Sequence, residues 1–172
     1  FGVARAFEYP QSVYGPPTID EAPPGANIHI RVDLWPIVSV TVENELRESD
    51  CDYLHTVCDQ VFAAHDRHAF LVDCSSVRSA PGPEVRKKLK AFEDSRQQTS
   101  AEKGIACAIV FQSRVVRGAY TALRWISAQP VPNKAFGSVS EAARWCIEAC
   151  EGEGVEVPPE AYLLAELPAR IA

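Results

Sequence analysis

The run Ile105-Ala-Cys-Ala-Ile-Val-Phe111 is apolar at every position. A strand with one wet face alternates in polarity. An unbroken apolar run of this length therefore reads as a strand covered on both faces, the usual state of a strand inside a parallel sheet. Such a strand needs crossover helices, and the chain has a helical pattern on either side of it. Before it, a pattern from about Pro83 to Gln98 sets Val85, Leu89 and Phe92 on one side. After it, Ser113 is placed to cap a helix over Arg114 to Ser127, with Val116, Ala119, Tyr120, Leu123 and Ile126 directed to the core.

The same alternation extends outward. Ile28, Ile30 and Val32 alternate with His29, Arg31 and Asp33, and Ile37 to Val42 repeats that period of two, so a β-hairpin is expected. Ser49 is the expected cap of a helix reaching about His65, with Leu54, Val57, Cys58, Val61 and Phe62 as its apolar stripe. Strand 69 to 74, a short strand near Lys134 to Phe136 and a helix from Ser140 to Cys150 complete the order β-β-α-β-α-β-α-β-α. This predicts a single α/β domain over residues 27 to 150, with a mixed, mostly parallel sheet and helices packed on it. Residues 1 to 26, with Pro10, Pro16, Pro17, Pro23 and Pro24, read as an extended arm, and residues 151 to 172 as an acidic tail with a short docking helix.

Charge is unevenly spread. Glu43 to Asp66 carries a net −6, Glu84 to Trp125 a net +5 and the tail from Glu151 a net −4, within a total of −6. That balance argues against nucleic acid, and no aromatic residues are interleaved with the basic ones to stack bases. It fits an acidic partner protein, or anionic lipid, for Arg86, Lys87, Lys88 and Lys90 on one helix and for Arg114, Arg117 and Arg124 on the next. No apolar run reaches the ~20 residues that cross a bilayer, and Phe1-Gly-Val-Ala-Arg-Ala-Phe-Glu8 lacks a signal-like apolar stretch. A soluble, cytoplasmic protein without a transmembrane segment is expected.

The six cysteines form no C-x-x-C pair and have no histidine at zinc spacing. They read as small buried hydrophobes, so neither a metal nor a cofactor is expected, although Cys146 and Cys150, four apart on one helical face, keep open a metal or redox reading that lacks a third and fourth ligand. Catalysis is not expected either. Cys74 has no histidine near it in sequence, although His55, His65 and His68 gather around the first helix and the following strand. Glycine-rich phosphate loops are absent.

The junction from His68 to Lys90 has the form of a site. The buried strand 69 to 74 turns sharply after Asp73, through Cys-Ser-Ser-Val77, toward a helix N-terminus at Pro81-Gly-Pro83, where α/β proteins commonly hold an anion or a switch residue. With the element order, this segment resembles the STAS domain of bacterial anti-sigma-factor antagonists. The run Ser113-Arg-Val-Val-Arg-Gly-Ala-Tyr-Thr-Ala-Leu-Arg-Trp125 is similar to small bacterial STAS-like proteins. The resemblance implies a regulatory protein-binding module, with a phosphorylatable serine at the start of the second helix. Here the matching positions hold Pro81, Gly82, Pro83 and Glu84, so no serine stands in register and Ser79 is the candidate phosphosite.

The partner surface expected is therefore Ser79, Gly82 and Glu84 with Arg86, Lys87 and Lys90, joined by Arg117 and Arg124 and by Tyr162 and Leu163 of the tail. Tyr162, Leu163, Leu164 and Leu167 form the expected apolar stripe of the tail helix, whose length demands docking on its own domain or on another chain. Tyr9, Tyr14 and Ile19 of the arm offer anchors for a neighbour, so self-association through the arms is a further expectation. Two other readings compete with an adaptor or regulator: a binder of a small apolar ligand and a thiol-dependent enzyme.

Overall fold

A computed structural model describes residues 15–64, 66–118 and 130–167. The hairpin forms as β1 (Ile28–Leu34) and β2 (Ile37–Asn44), antiparallel, and is followed by α1 (Glu48–Ala63) and β3 (His68–Val77). Then come α2 (Pro83–Lys103), β4 (Gly104–Val110), β5 (Asn133–Phe136), α3 (Val139–Gly152) and α4 (Pro159–Ala165). The sheet order is β1-β2-β3-β4-β5, and every pair after the first is parallel. The expected α/β architecture is the one found.

Period-two alternation on β2 divides the core. Val38, Val40 and Val42, with Ile28 and Ile30 of β1, pack under Tyr53, Val57 and Val61 of α1. On the opposite face Ile37, Ala69, Leu71, Ala106, Ala108 and Val110 pack under Ala142, Ala143, Cys146, Ile147 and Cys150 of α3. The apolar run of β4 lies inside the sheet between β3 and β5, as expected, but its two faces are not equally covered. β4 is sealed by α3 at Ala106, Ala108 and Val110, whereas Cys107 and Ile109, on the other face, are only half-buried.

Several local expectations change for identifiable reasons. Ser49 lies inside α1, and the helix start is held by the buried carboxylate of Asp50. It accepts from the N–H groups of Asn27 at 3.0 Å and Arg47 at 2.9 Å, and from Arg47 Nε at 3.2 Å. Burial raises the Asp50 pKa, but those bonds outweigh it and hold the carboxyl below its ordinary value. α2 runs to Lys103 and passes directly into β4 at Gly104, where an added Cβ would lie 2.6 Å from the Ser100 carbonyl oxygen. The helix at Arg114 begins as expected, yet Val116 is 46% exposed and does not face the core, and Val115 beside it is 81% exposed. Ala119, Tyr120, Leu123 and Ile126 lie outside the described residues, as do Tyr9, Tyr14 and His65. Ile19 packs on the domain's own β1–β2–α1 cluster. The Asp20 carbonyl there accepts from Tyr53 at 3.0 Å. Among the described residues no helix is long and apolar enough to cross a membrane.

Candidate interaction surface at the carboxyl ends of the parallel strands

The expected sharp turn after Asp73 is displaced. β3 continues through Cys74, Ser75 and Ser76 to Val77, paired with β2 as far as Asn44. An irregularity in register falls between Thr41 and Glu43, and there Asp73 Oδ1 accepts from the Ser75 N–H at 2.9 Å. Arg78 N–H then donates to the carbonyl of Asn44, which sits in the left-handed region at φ 57°. The exposed stretch Arg78, Ser79, Ala80 leads through Pro81 to Gly82, the N-cap of α2. Pro83 occupies the first turn, where it sacrifices no helical hydrogen bond, and Glu84 opposes the positive end of the helix dipole. Gly82 makes no side-chain cap, and nothing would touch a Cβ there.

The basic residues of α2 divide into two lines. The inner line turns to acidic α1. Lys88 meets Asp52 at 2.8 Å and Glu48 at 3.7 Å, and Lys103 Nζ donates to the carbonyls of Phe62 at 2.6 Å and Ala64 at 2.7 Å. Between them Arg96, 6% exposed, pairs with Asp59, donates to the His55 carbonyl at 3.2 Å and stacks 4.5 Å over the Phe92 ring. Arg96 escaped the sequence reading, although it continues the stripe of Val85, Leu89 and Phe92 by helical spacing. The outer line is Arg86, Lys87 and Lys90, all exposed beside Ser79 and Glu84. Arg86 returns to the Pro81 carbonyl at 2.8 Å and Lys90 meets Asp94 at 3.0 Å.

The other expected surface residues are not gathered with these. Arg117 is half-buried and donates to the carbonyls of Phe111 and Gln112, the latter at 2.8 Å. It lines a separate cleft of about 610 Å³ with Lys134, Phe136, Ser138 and Glu141. Arg124 lies outside the described residues. Tyr162 and Leu163 belong to α4, which docks on α3 across the sheet from α2. The docking face of α4 is Ala161, Leu164 and Ala165, preceded by Val157, and so differs from the expected stripe. Tyr162 donates to Glu151 Oε1, while Leu163 and Leu167 remain 63% and 50% exposed.

Burial governs the thiols. It pushes the pKa values of Cys58, Cys74 and Cys150 up to about 12, and raises Cys51 and Cys146 as well. His68 is wholly buried among Trp35, Phe62 and Phe70, at ring distances of 5.6, 5.1 and 5.4 Å. Burial lowers its pKa to about 4, against a weak bond to the Asp66 carbonyl and with nearby Lys103 adding to the fall. His55 sits apart, exposed on α1 with its ring edge-on to Phe92 at 5.7 Å. Among the described residues no group of His, Cys, Asp and Glu is arranged to hold a metal.

A mixed five-stranded sheet with one antiparallel edge and helices on both faces defines a SpoIIAA-like fold, the fold of STAS domains. Among solved structures the chain is similar to an uncharacterized protein of the DUF3478 family with a SpoIIAA-like fold from Shewanella loihica PV-4. The TM-score is 0.56 at 14% identity, over 69% of this chain and 91% of that one. At that identity the likeness carries the fold and no more. No family model matches the sequence, and no curated protein does.

Proposed function

We propose that this domain is a non-enzymatic protein–protein interaction module, a regulator or scaffold component that meets an acidic partner at the carboxyl-end surface. The observation that carries this reading is the division of α2. Its inner cations hold the helix to α1, while Arg86, Lys87 and Lys90 stand in solvent beside the exposed loop that carries Ser79. Exposed pairs such as Lys90–Asp94 contribute little and exchange readily for a partner's carboxylates. The long-range field of such a patch steers an acidic partner and sets the orientation of docking.

The competing readings are weaker on physical grounds. Thiols whose pKa values lie near 12 hold almost no thiolate at neutral pH, which disfavours a cysteine nucleophile. The cleft at Arg117 sets Lys134 and Glu141 beside Phe136, and a second cleft of about 440 Å³ is lined mostly by polar groups, Glu43, Asn44, Ser75, Ser76, Arg78 and Gln112, so neither offers an uninterrupted apolar lining.

Capture of partners from lysate of the source cell, using the intact chain and the Arg86→Glu, Lys87→Glu double variant, tests the reading. Loss of the captured protein with the variant is the expected result. Unchanged recovery contradicts it.

A further inference from the structure

Among the described residues the exposed large apolar side chains fall in two places, and charge divides them. The first is Leu163 and Leu167, four apart on the outer side of α4, with Tyr162 beside them. By helical spacing Glu160 and Glu166 neighbour Leu163, and both are exposed. α4 is a fixed ledge, because Arg144 donates to the Ala165 carbonyl at 3.1 Å and Tyr162 donates to Glu151. From Glu141 to Leu167 the chain carries seven acids and one base, Arg144. The second place is Val115 and Val116, on the first helical turn after β4. Ser113 caps that turn by accepting from the Val116 N–H at 3.3 Å, and Arg114 is exposed beside the valines. From Gly104 to Ser140 the chain carries four bases and no acid. Acids of other elements line the clefts next to this turn, Glu141 with Arg117 and Lys134, and Glu43 with Arg78 and Gln112. Each is matched there by a base, and Arg114 adds to the excess.

Grouped apolar side chains held in water on a rigid support and rimmed by charge mark a contact surface. Both patches are exposed in the same molecule, so neither covers the other within one copy. Their charges are opposite, and a second copy carries the complement of each. We propose that the chain associates with a second copy of itself, Val115 and Val116 of one copy packing on Leu163 and Leu167 of the other, with Arg114 facing Glu160 and Glu166. The contact joins unlike patches, so each copy offers one half and receives the other. Burial of the four aliphatic side chains supplies the attraction. Opposite charge sets the orientation and rejects the like pairing of α4 on α4. The surface is separate from α2, whose outer cations stay available to the partner of the interaction reading.

Sedimentation velocity on the intact chain over a range of concentrations tests this. Apparent mass is expected to rise with concentration, and the rise to weaken as salt increases. Val115→Glu and Leu163→Lys, both at exposed positions, are each expected to weaken association by about tenfold while circular dichroism and thermal stability stay unchanged. An equimolar mixture of the two variants is expected to regain it, since the first keeps an intact α4 patch and the second an intact valine patch. A mass independent of concentration overturns the proposal. Association that survives either substitution, or a mixture as monomeric as its components, also overturns it and assigns self-contact to another surface. Association insensitive to salt overturns the charge assignment. The interaction reading is decided separately, by the capture experiment at Arg86 and Lys87.

Discussion

α2 and α3 cover the same sheet from opposite faces by different physics. α3 is capped by Ser138, whose hydroxyl accepts from the Glu141 N–H at 3.3 Å, and it buries Ala142, Ala143, Cys146, Ile147 and Cys150. α2 spans 21 residues and fully buries only Val85 and Arg96. One helix is held by small apolar side chains in close contact with the strands. The other is held beside α1 by Lys88, Arg96 and Lys103, with a thin apolar line beneath. The two helices divide the labour. α3 closes the core, and α2, whose attachment uses only its inner cations, leaves its outer face available for recognition.

The contrast is sharpest at Ile147. Truncation by Ile147→Ala removes a buried side chain from a close-packed layer and is expected to cost about 2–5 kcal/mol. Phe92→Ala on half-buried α2 is expected to cost about 1 kcal/mol. Equal losses in urea denaturation would break the comparison.

Acid provides the next test. His68 is held neutral when folded, with a pKa lowered to about 4 from 6.5, so below pH 6.5 the unfolded chain takes up the proton first. Stability present above pH 6.5 is therefore lost as pH falls toward 4, by an amount on the order of 3 kcal/mol. His68→Phe should flatten thermal stability across that window. An unchanged slope would show that His68 is not the group responsible. Asp50 acts the same way at lower pH. Its carboxyl is held below the usual 3.8, so its contribution is present above that value and is lost as pH falls through the folded pKa.

A smaller and more local effect is expected at Arg96. Arg96→Met keeps an apolar stem over Phe92 but removes the bonds to the His55 carbonyl and to Asp59, which at 69% exposure is rehydrated, for a cost of about 0.5–1.5 kcal/mol. Amide exchange should quicken along α2 and stay unchanged along α3. Equal quickening of both helices would mean that α2 is not separately held.

Much of the fold was legible because hydrophobic period is a local signal. The alternation at Ile28 to Val42 and the stripe at Leu54 to Phe62 each report a face before the partner is known. What was hidden depends on residues distant in sequence. Cys74 to Val77 reads as turn chemistry, yet it stays in the sheet because β2 continues beside it to Asn44. Asp50 replaces Ser49 at the helix start because Asn27, 23 residues earlier, supplies a donor. Position Arg96 fits the α2 stripe, but a guanidinium there makes sense only once Asp59 and the His55 carbonyl are in place. The site was legible in part. Ser79, Glu84, Arg86, Lys87 and Lys90 do share the carboxyl-end surface, whereas Arg117 is committed to the loop after β4 and Tyr162 and Leu163 lie across the sheet.

That separation of surfaces permits a direct measurement: the hydrogen-exchange footprint of the intact domain in complex with its captured partner. Protection over Ser75 to Lys90 is the expected result, with the segment from Tyr162 to Leu167 unchanged. Protection of Tyr162 to Leu167 with Ser75 to Lys90 unaffected would contradict it.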